Sequence, residues 1–572
     1  MSAAALVVIA LAACTSTPAA TPVNDSTAPQ AAKGFVDAWN DADYDVMSEY
    51  LSPGSALDGD DLQRLFDRLY DHGALKSIHV DLDAPAQETR TAVATAPYSI
   101  RYRSTATRRP VKLEGDLELH YSGEDDAWQV VWSRSLLFPG EPEARDFDIA
   151  ATWLRRGSIL DRHGRKLATG PVDGRRYPYG STLGSTVGHI GPASKEDAAT
   201  YGVSPGDLVG GSGIERGLQE ALAGTPSTTL RLVDRKGDVV RRVGAKKGKP
   251  GRNVKTTLDI ELQRVAQGAF GSTTGGVVVM DPHTGNLLAV VSSSPFDPNN
   301  YVGAEVHPFN RALDGRYPPG SSMKVVTASA AIDTGTVTPD TQLSGPAEFR
   351  GVHNFESGEF GQISFATALQ HSVNTAFAQV ALKLGAKKLS DYAERFGFNR
   401  VPEMPLEASE SSFPYPETES DLMWGAIGQA RVLATPLQMA TVAATVANDG
   451  KRMEPRISYL DPPSGERIIT KKTANTMTDL MVSVVVGGTG QAARLSGVDV
   501  AGKTGTAEVD VNGERKNHAW FICFAPAEDP DIAIAVVSEY GGIGGEVAAP
   551  IARQILSGGL LVVQSDEFHG IK

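Results

Sequence analysis

Tyr317-Pro318-Pro319-Gly320-Ser321-Ser322-Met323-Lys324 sets a serine and a lysine three residues apart, directly behind a Pro-Pro-Gly breaker. The apolar run Met323 to Ile332 predicts a helix, and positions i and i+3 of a helix share a face. The Lys324 amine then reaches the Ser321 hydroxyl. A serine hydroxyl is a weak nucleophile at neutral pH and needs a neighbouring base to take its proton. A lysine serves as that base only when desolvation or nearby positive charge lowers its pKa. The helix N-terminus, with its partial positive charge, also favours an anion developing at the serine. By itself Ser-x-x-Lys carries little weight. Both residues are common, and an exposed helix turn is the bland reading of a bare match.

Two further elements change the balance. His371-Ser372-Val373-Asn374 contains Ser-x-Asn, and Gly502-Lys503-Thr504-Gly505-Thr506 contains Lys-Thr-Gly. Ser372 follows Ser321 by 51 residues, and Lys503 follows Ser372 by 131. The ordered set Ser-x-x-Lys, Ser-Asp-Asn, Lys-Thr-Gly marks penicillin-binding proteins and class A β-lactamases; here Val373 replaces the aspartate. Ser372 and Asn374 lie between two helix-like runs, Phe365–Gln370 and Thr375–Ala381, so a turn there displays both side chains into a cleft. Lys503–Thr506 reads as a polar edge strand. Such a strand binds an extended peptide by β-augmentation, and Gly505 allows close backbone approach.

From about Trp153 onward the chain resembles the class B (monofunctional) penicillin-binding proteins, D,D-transpeptidases of peptidoglycan synthesis. Arg156-Gly157-Ser158-Ile159-Leu160-Asp161-Arg162-His163-Gly164 and Gly211-Ser212-Gly213-Ile214-Glu215-Arg216-Gly217-Leu218 resemble the pedestal of that family. Thr256–Asp259, Asp281–Gly285, Ala426–Gln429, Thr435–Ala440 and His518–Phe521 resemble parts of its transpeptidase domain. The departures are Ala430, where the family usually has a second glycine, and Cys523, where a small residue is common. The resemblance implies that Ser321 attacks the penultimate D-Ala carbonyl of a stem pentapeptide and that Lys324 takes its proton. Ser372 would relay a proton to the leaving amine, with Asn374 and Lys503 holding the network. Lys503 would also push Lys324 toward its neutral form. Backbone N–H groups of Ser321 and Thr506 would form the oxyanion hole, and Thr504, Gly505 and Thr506 would bind substrate. The implied partners are D-Ala-D-Ala stem peptides, β-lactam antibiotics and a separate peptidoglycan glycosyltransferase.

Alternatives remain open at this level. A β-lactamase must activate water for deacylation, and is compact. A bifunctional enzyme needs more than the roughly 110 residues available before the pedestal. A D,D-carboxypeptidase or a β-lactam sensor would share the fold.

Length and composition agree with a multidomain globular protein. At 572 residues the chain predicts about three or four domains. Apolar residues make up 41% and charged residues 21%, as in soluble globular proteins. A net charge of −14 argues against nucleic acid as a partner. None of the 11 histidines has HExxH or other ligand spacing, so neither metal nor cofactor is implied. Cys14 and Cys523 are the only cysteines, so no disulfide framework is expected.

Residues 1–14 read as a lipoprotein signal peptide. An apolar run too short to span a bilayer ends in Leu11-Ala12-Ala13-Cys14, which resembles the bacterial lipobox, with Cys14 as the lipid anchor to the outer face of the cytoplasmic membrane. No Lys or Arg precedes the run. Residues 15–32, rich in Thr, Pro, Ala and Ser, predict a flexible tether. Residues 33–142 begin with an amphipathic helix at Phe35–Asn40 and continue in alternating strands, Tyr98–Arg103, Leu117–Tyr121 and Trp128–Trp132. They resemble a nuclear-transport-factor-2-like N-terminal domain, with Trp39, Trp128 and Trp132 as core. Residues 150–250 are expected to form the pedestal, 254–564 the transpeptidase domain and 565–572 a polar tail. The expected fold class is therefore multidomain α+β, its transpeptidase domain built of helices around an antiparallel sheet.

Overall fold

Pro29 opens helix α1 (Ala28–Asp41), where a missing N–H costs nothing, and Ala31, Phe35, Ala38 and Trp39 repeat at helical spacing on its buried face. The computed structural model describes residues 27–203, 205–301 and 308–568. Ala28, Ala31 and Ala32 are buried in α1, so the expected tether to residue 32 ends earlier than composition implied. Alanine and proline fit a helix start as well as a linker. The lipobox and Cys14 lie outside the described residues.

The described chain divides into two compact units, one running up to Trp153 and including Pro226–Lys249, the other holding Leu154–Thr225 and everything from Pro250. In the first unit α1, α2 (Tyr44–Glu49) and α3 (Gly59–His72) accompany a curved antiparallel sheet. Its strands are β1 (Leu75–Leu82), β2 (Gln87–Arg90), β3 (Val93–Ser104), β4 (Val111–Ser122) and β5 (Ala127–Val130), in the order β1-β3-β4-β5 with β2 also on β3. Asp58 caps α3 by accepting the Asp61 N–H, and Leu62, Leu65, Phe66 and Leu69 point inward from it. Trp39 stacks edge-on against Phe35 and Phe66 in this core, and Trp128 is buried. The Tyr98 hydroxyl donates to the Leu136 carbonyl at 2.7 Å and Tyr102 to that of Leu137, which fixes the Leu136–Pro139 segment.

The expected pedestal, 150–250, does not stay together. β6 (Asp146–Thr152), β7 (Ser227–Val233) and β8 (Val239–Lys246) form a second sheet in the first unit, with β7 in the middle. Phe147, Leu230 and Leu232 join the same core as Phe35 and Phe66. Burial of these apolar residues, about 1.5–3 kcal/mol each, decides the allegiance of the hairpin.

In the second unit, the two motifs that resemble a pedestal meet through charge. The fully buried Glu215 carboxylate accepts Arg156 Nη2 at 2.6 Å and Arg175 Nε at 2.6 Å. His163 Nε2 lies 2.9 Å from Asp259, which also caps α4 (Ile260–Phe270). The main sheet contains β9 (Gly275–Met280), β10 (Leu287–Ser292), β11 (Ala501–Val511), β12 (Glu514–Ala525) and β13 (Ile532–Ser538). All pairings are antiparallel, in the order β10-β9-β13-β12-β11, leaving β11 at one edge. Alternate residues of β9, β12 and β13 enter two separate cores. One is shared with α5 (Lys324–Asp333) and the helix Pro436–Ala447, the other with α4 and the C-terminal helix Ala548–Phe568. This explains why β9 reads as an unbroken apolar run, since both faces are covered. The last helix continues through Phe568, beyond the point where a polar tail was expected.

Candidate active site

Ser321 sits in a single 3-10 turn, Gly320–Met323, that leads straight into α5. Three contacts hold the turn. The indole N–H of Trp520, fully buried on β12, donates to the Pro318 carbonyl at 2.9 Å. Gly320 N–H donates to the Gly428 carbonyl at 2.9 Å, and the Ser322 hydroxyl to the Pro319 carbonyl at 2.6 Å. Gly505 of β11 faces the same turn. A Cβ there would lie 2.6 Å from the Pro319 carbonyl oxygen, so absence of a side chain lets the strand close on the Ser321 turn. Its role is thus to admit this protein's own backbone, where the sequence suggested approach of a bound peptide.

Lys324 starts α5 and is fully buried. Its Nζ meets the Ser372 carbonyl at 2.7 Å, Ser372 Oγ at 3.2 Å and Asn374 Oδ1 at 2.6 Å. Ser372 lies between α6 (Phe365–Gln370) and α7 (Asn374–Leu384), at the turn that the sequence predicted. Its φ of 60° is left-handed, a conformation that costs a non-glycine residue about 1–2 kcal/mol and here aims both carbonyl and hydroxyl at lysines. Lys503 on β11 reaches Ser372 Oγ at 2.9 Å and the Thr504 carbonyl at 3.0 Å. One hydroxyl therefore joins two amines.

Among the described residues no carboxylate forms a hydrogen bond or ion pair with either lysine. Burial pushes Lys324 well below the ordinary lysine range, and Lys503 pushes it further. Burial alone brings Lys503 down to about 7. Two ammonium charges sharing one dry site are unfavourable, so the pair tends to hold a single proton.

Ser321, Ser372, Asn374, Thr504 and Thr506 line one cleft of about 410 Å³. The structure thus brings together the five residues of the serine-lysine network and places the strand threonines beside them. No described residue hydrogen-bonds the Ser321 hydroxyl. Several neighbours carried no sequence signal. Thr489 Oγ1 lies 2.6 Å from Thr504 Oγ1, Asn374 Nδ2 donates to the His353 carbonyl at 2.9 Å, and Gly544 N–H donates to Thr506 Oγ1 at 3.3 Å. His353 and Trp424 stack edge-on at the cleft wall. A serine beside a lowered-pKa amine, with an edge strand alongside, is a site for acyl transfer.

Comparisons with known proteins agree with this geometry. Residues 275–557 match the penicillin-binding protein transpeptidase domain, 169–256 the penicillin-binding protein dimerisation domain, and 27–142 the NTF2-like N-terminal transpeptidase domain. Over 359 residues the chain is 36% identical to the peptidoglycan D,D-transpeptidase PbpA of Mycolicibacterium smegmatis, covering 54% of this chain and 73% of that one. The chain belongs to the class B penicillin-binding proteins. Penicillin-binding protein 3 of Bacillus subtilis is 23% identical along a longer alignment, 88% of this chain and 92% of its own. Among solved structures, the ceftriaxone acyl-enzyme complex of penicillin-binding protein A from M. tuberculosis superposes with a TM-score of 0.59. Its identity is 29%, covering 71% of this chain and 98% of that one. In this class B penicillin-binding protein the serine-lysine network falls inside the matched transpeptidase domain. The dimerisation match spans both compact units, because the β7–β8 hairpin lies within it.

Proposed function

We propose that this peptidoglycan D,D-transpeptidase uses Ser321 as its nucleophile and Lys324 as the base. The observation that carries the reading is the buried Lys324 amine. When neutral it donates two N–H bonds, to the Ser372 carbonyl and Asn374 Oδ1, and keeps a lone pair for a hydroxyl proton. Ser321 Oγ attacks the penultimate D-Ala carbonyl while its proton passes to Lys324. The C–N bond to the terminal D-Ala then breaks, and the proton returns through Ser372 Oγ to the leaving amine. An acceptor amine attacks the resulting ester, forms the new amide, and releases Ser321, whose oxygen regains a proton.

The remaining groups act on charge. Lys503 donates to Ser372 and keeps positive charge beside the relay. Ser321 and Thr506 backbone N–H groups stabilise the oxyanion, where one donor contributes about 3–4 kcal/mol. Thr504 and Thr506 hydroxyls, braced by Thr489 and Gly544, bind the substrate carboxylate. A β-lactam acylates the same serine, and its tethered amine cannot leave. The test is incubation with a donor pentapeptide ending in D-Ala-D-Ala and an acceptor amine. Cross-linked dimer is the expected product. Release of D-Ala without dimer would make the enzyme a carboxypeptidase, and a stable β-lactam adduct with no turnover would make it a sensor.

The enzyme works outside the cytoplasm on the cell wall. Among the described residues no helix is long and apolar enough to cross a membrane. The Leu11-Ala12-Ala13-Cys14 pattern supports a lipid anchor on Cys14. Absence of diacylglyceryl mass on Cys14 in the membrane-derived protein would refute that anchor. A separate glycosyltransferase would supply the glycan strands that this enzyme cross-links.

A further inference from the structure

We propose that the first unit carries a binding site for a phosphate-bearing ligand, formed by Arg68, Arg134, Arg145 and Arg235. The four guanidinium groups come from separate places. Arg68 belongs to α3, Arg134 opens the 3-10 turn Arg134–Leu136, Arg145 directly precedes β6, and Arg235 lies in the β7–β8 turn. Together with Asp146 and Asp234 they line a cavity of about 460 Å³, roomy enough for a phosphoryl group and its substituents. On a chain of net charge −14, four arginines against two aspartates leave this spot at +2. A phosphomonoester carries about −1.5 to −2 at pH 7, which matches that surplus.

Both aspartates are already engaged. Asp146 Oδ2 accepts Arg68 Nε and His72 Nδ1, each at 3.0 Å, and Asp146 Oδ1 accepts its neighbour Phe147 N–H at 2.8 Å. Asp234 Oδ1 accepts the backbone N–H groups of Lys236 and Asp238 at 2.8 and 2.9 Å. Neither closes an ion pair with Arg134, Arg145 or Arg235. The first two are held in place by main-chain carbonyls. Arg145 Nη1 donates to the carbonyls of Pro142 at 2.6 Å and Ala144 at 2.8 Å, and Arg134 Nη1 to that of Arg145 at 3.3 Å. Such anchoring fixes the guanidinium planes while leaving other N–H donors to a ligand. Burial first, then the charge of Arg68, lowers the Arg134 pKa; Asp146 pulls the other way, while Arg145 and Arg235 add to the lowering, so the positive charges here are only partly balanced. A planar fork suits the oxygens of a phosphate, and several forks suit one dianion.

The experiment titrates inorganic phosphate, then pyrophosphate, into the full chain by calorimetry, with chloride adjusted to constant ionic strength. Saturable binding is expected, weakened about tenfold by Arg134→Gln and about tenfold by Arg235→Gln. Arg235 is exposed on a turn, so its variant keeps the fold should Arg134→Gln disturb it. An unchanged circular dichroism spectrum and thermal melting profile of the variant confirm that the first unit stays folded. Flotation with phosphatidylglycerol vesicles, absent with phosphatidylcholine and lost in Arg235→Gln, would assign the phosphate to a membrane head group. Phosphate binding without flotation would assign it to a soluble phosphoester. Absence of saturation, or equal affinity in the folded Arg235→Gln protein, overturns the proposal.

Discussion

Two lysines bonded to one serine hydroxyl make the chemistry of this site a matter of proton count. Both have folded-state pKa values below the ordinary lysine value, with Lys503 at about 7 and Lys324 lowered well below its ordinary range. Lowered amines favour the neutral folded form. Their contribution to stability is therefore full above the unfolded lysine pKa and is lost as pH falls through the folded values. Acylation follows the same sign. The second-order rate of acylation by benzylpenicillin should fall on the acid side of neutrality as the pair takes up its second proton, by about tenfold per pH unit. Lys503→Met removes the positive neighbour and should move that acid limb to higher pH, because Lys324 then protonates more easily. A limb that stays in place would mean that Lys503 acts on substrate alone. The five network residues were legible in sequence because each belongs to a short local motif. Thr489 and His353 were not. Thr489 reaches the cleft on the turn after the helix Lys471–Gly487 and His353 on the short strand Val352–His353, both outside the motifs, and His353 contributes only a carbonyl, which any residue has.

At the level of elements, backbone shape explains the departures from pattern. Ala430 follows the Ala426–Gln429 motif with a φ of 57°, so an alanine occupies a left-handed position that the family usually fills with glycine. Ala430→Gly should raise stability by about 0.5–1 kcal/mol, read as a higher Tm, with acylation unchanged. A lower Tm would show that unfolded-state entropy outweighs the relieved strain. Gly505 runs the other way. Gly505→Ala forces a Cβ against the Pro319 carbonyl and must displace the Ser321 turn or the edge strand. Acylation should then drop by about tenfold or more, since small misplacement of a reacting group is costly, and a rate within twofold of the parent would contradict the clamp. Sequence periodicity found three strands of the first unit, β3, β4 and β5, and the apolar run and the motif spacing found the helix α5 and the Ser372 turn. Periodicity gave no sign that β7 and β8, inside the stretch that resembles a pedestal, pair with β6, because β6 lies some 80 residues away and only packing of Leu230 and Leu232 beside Phe147 decides the pairing.

On the scale of the whole molecule, every residue lining the catalytic cleft belongs to the second unit. The first unit has its own core, in which α1, α3 and two sheets surround Phe35, Trp39 and Phe66. A chain beginning at Leu154, with residues 226–249 replaced by a short linker, should acylate with penicillin at close to the full-length rate while supporting cell-wall growth poorly. Circular dichroism checks its fold. A folded truncation that acylates orders of magnitude more slowly would give the first unit a part in the chemistry. Domain order was readable from three families of motif, whereas the exchange of the β7–β8 hairpin between expected domains was not, since nothing local marks it. The most direct test of the account is peptide-level mass spectrometry after incubation with benzylpenicillin. It should find the intact β-lactam mass added to the peptide bearing Ser321, and no adduct in Ser321→Ala or Lys324→Ala. An adduct on another residue, or labelling of Ser321→Ala at the parent rate, would contradict it.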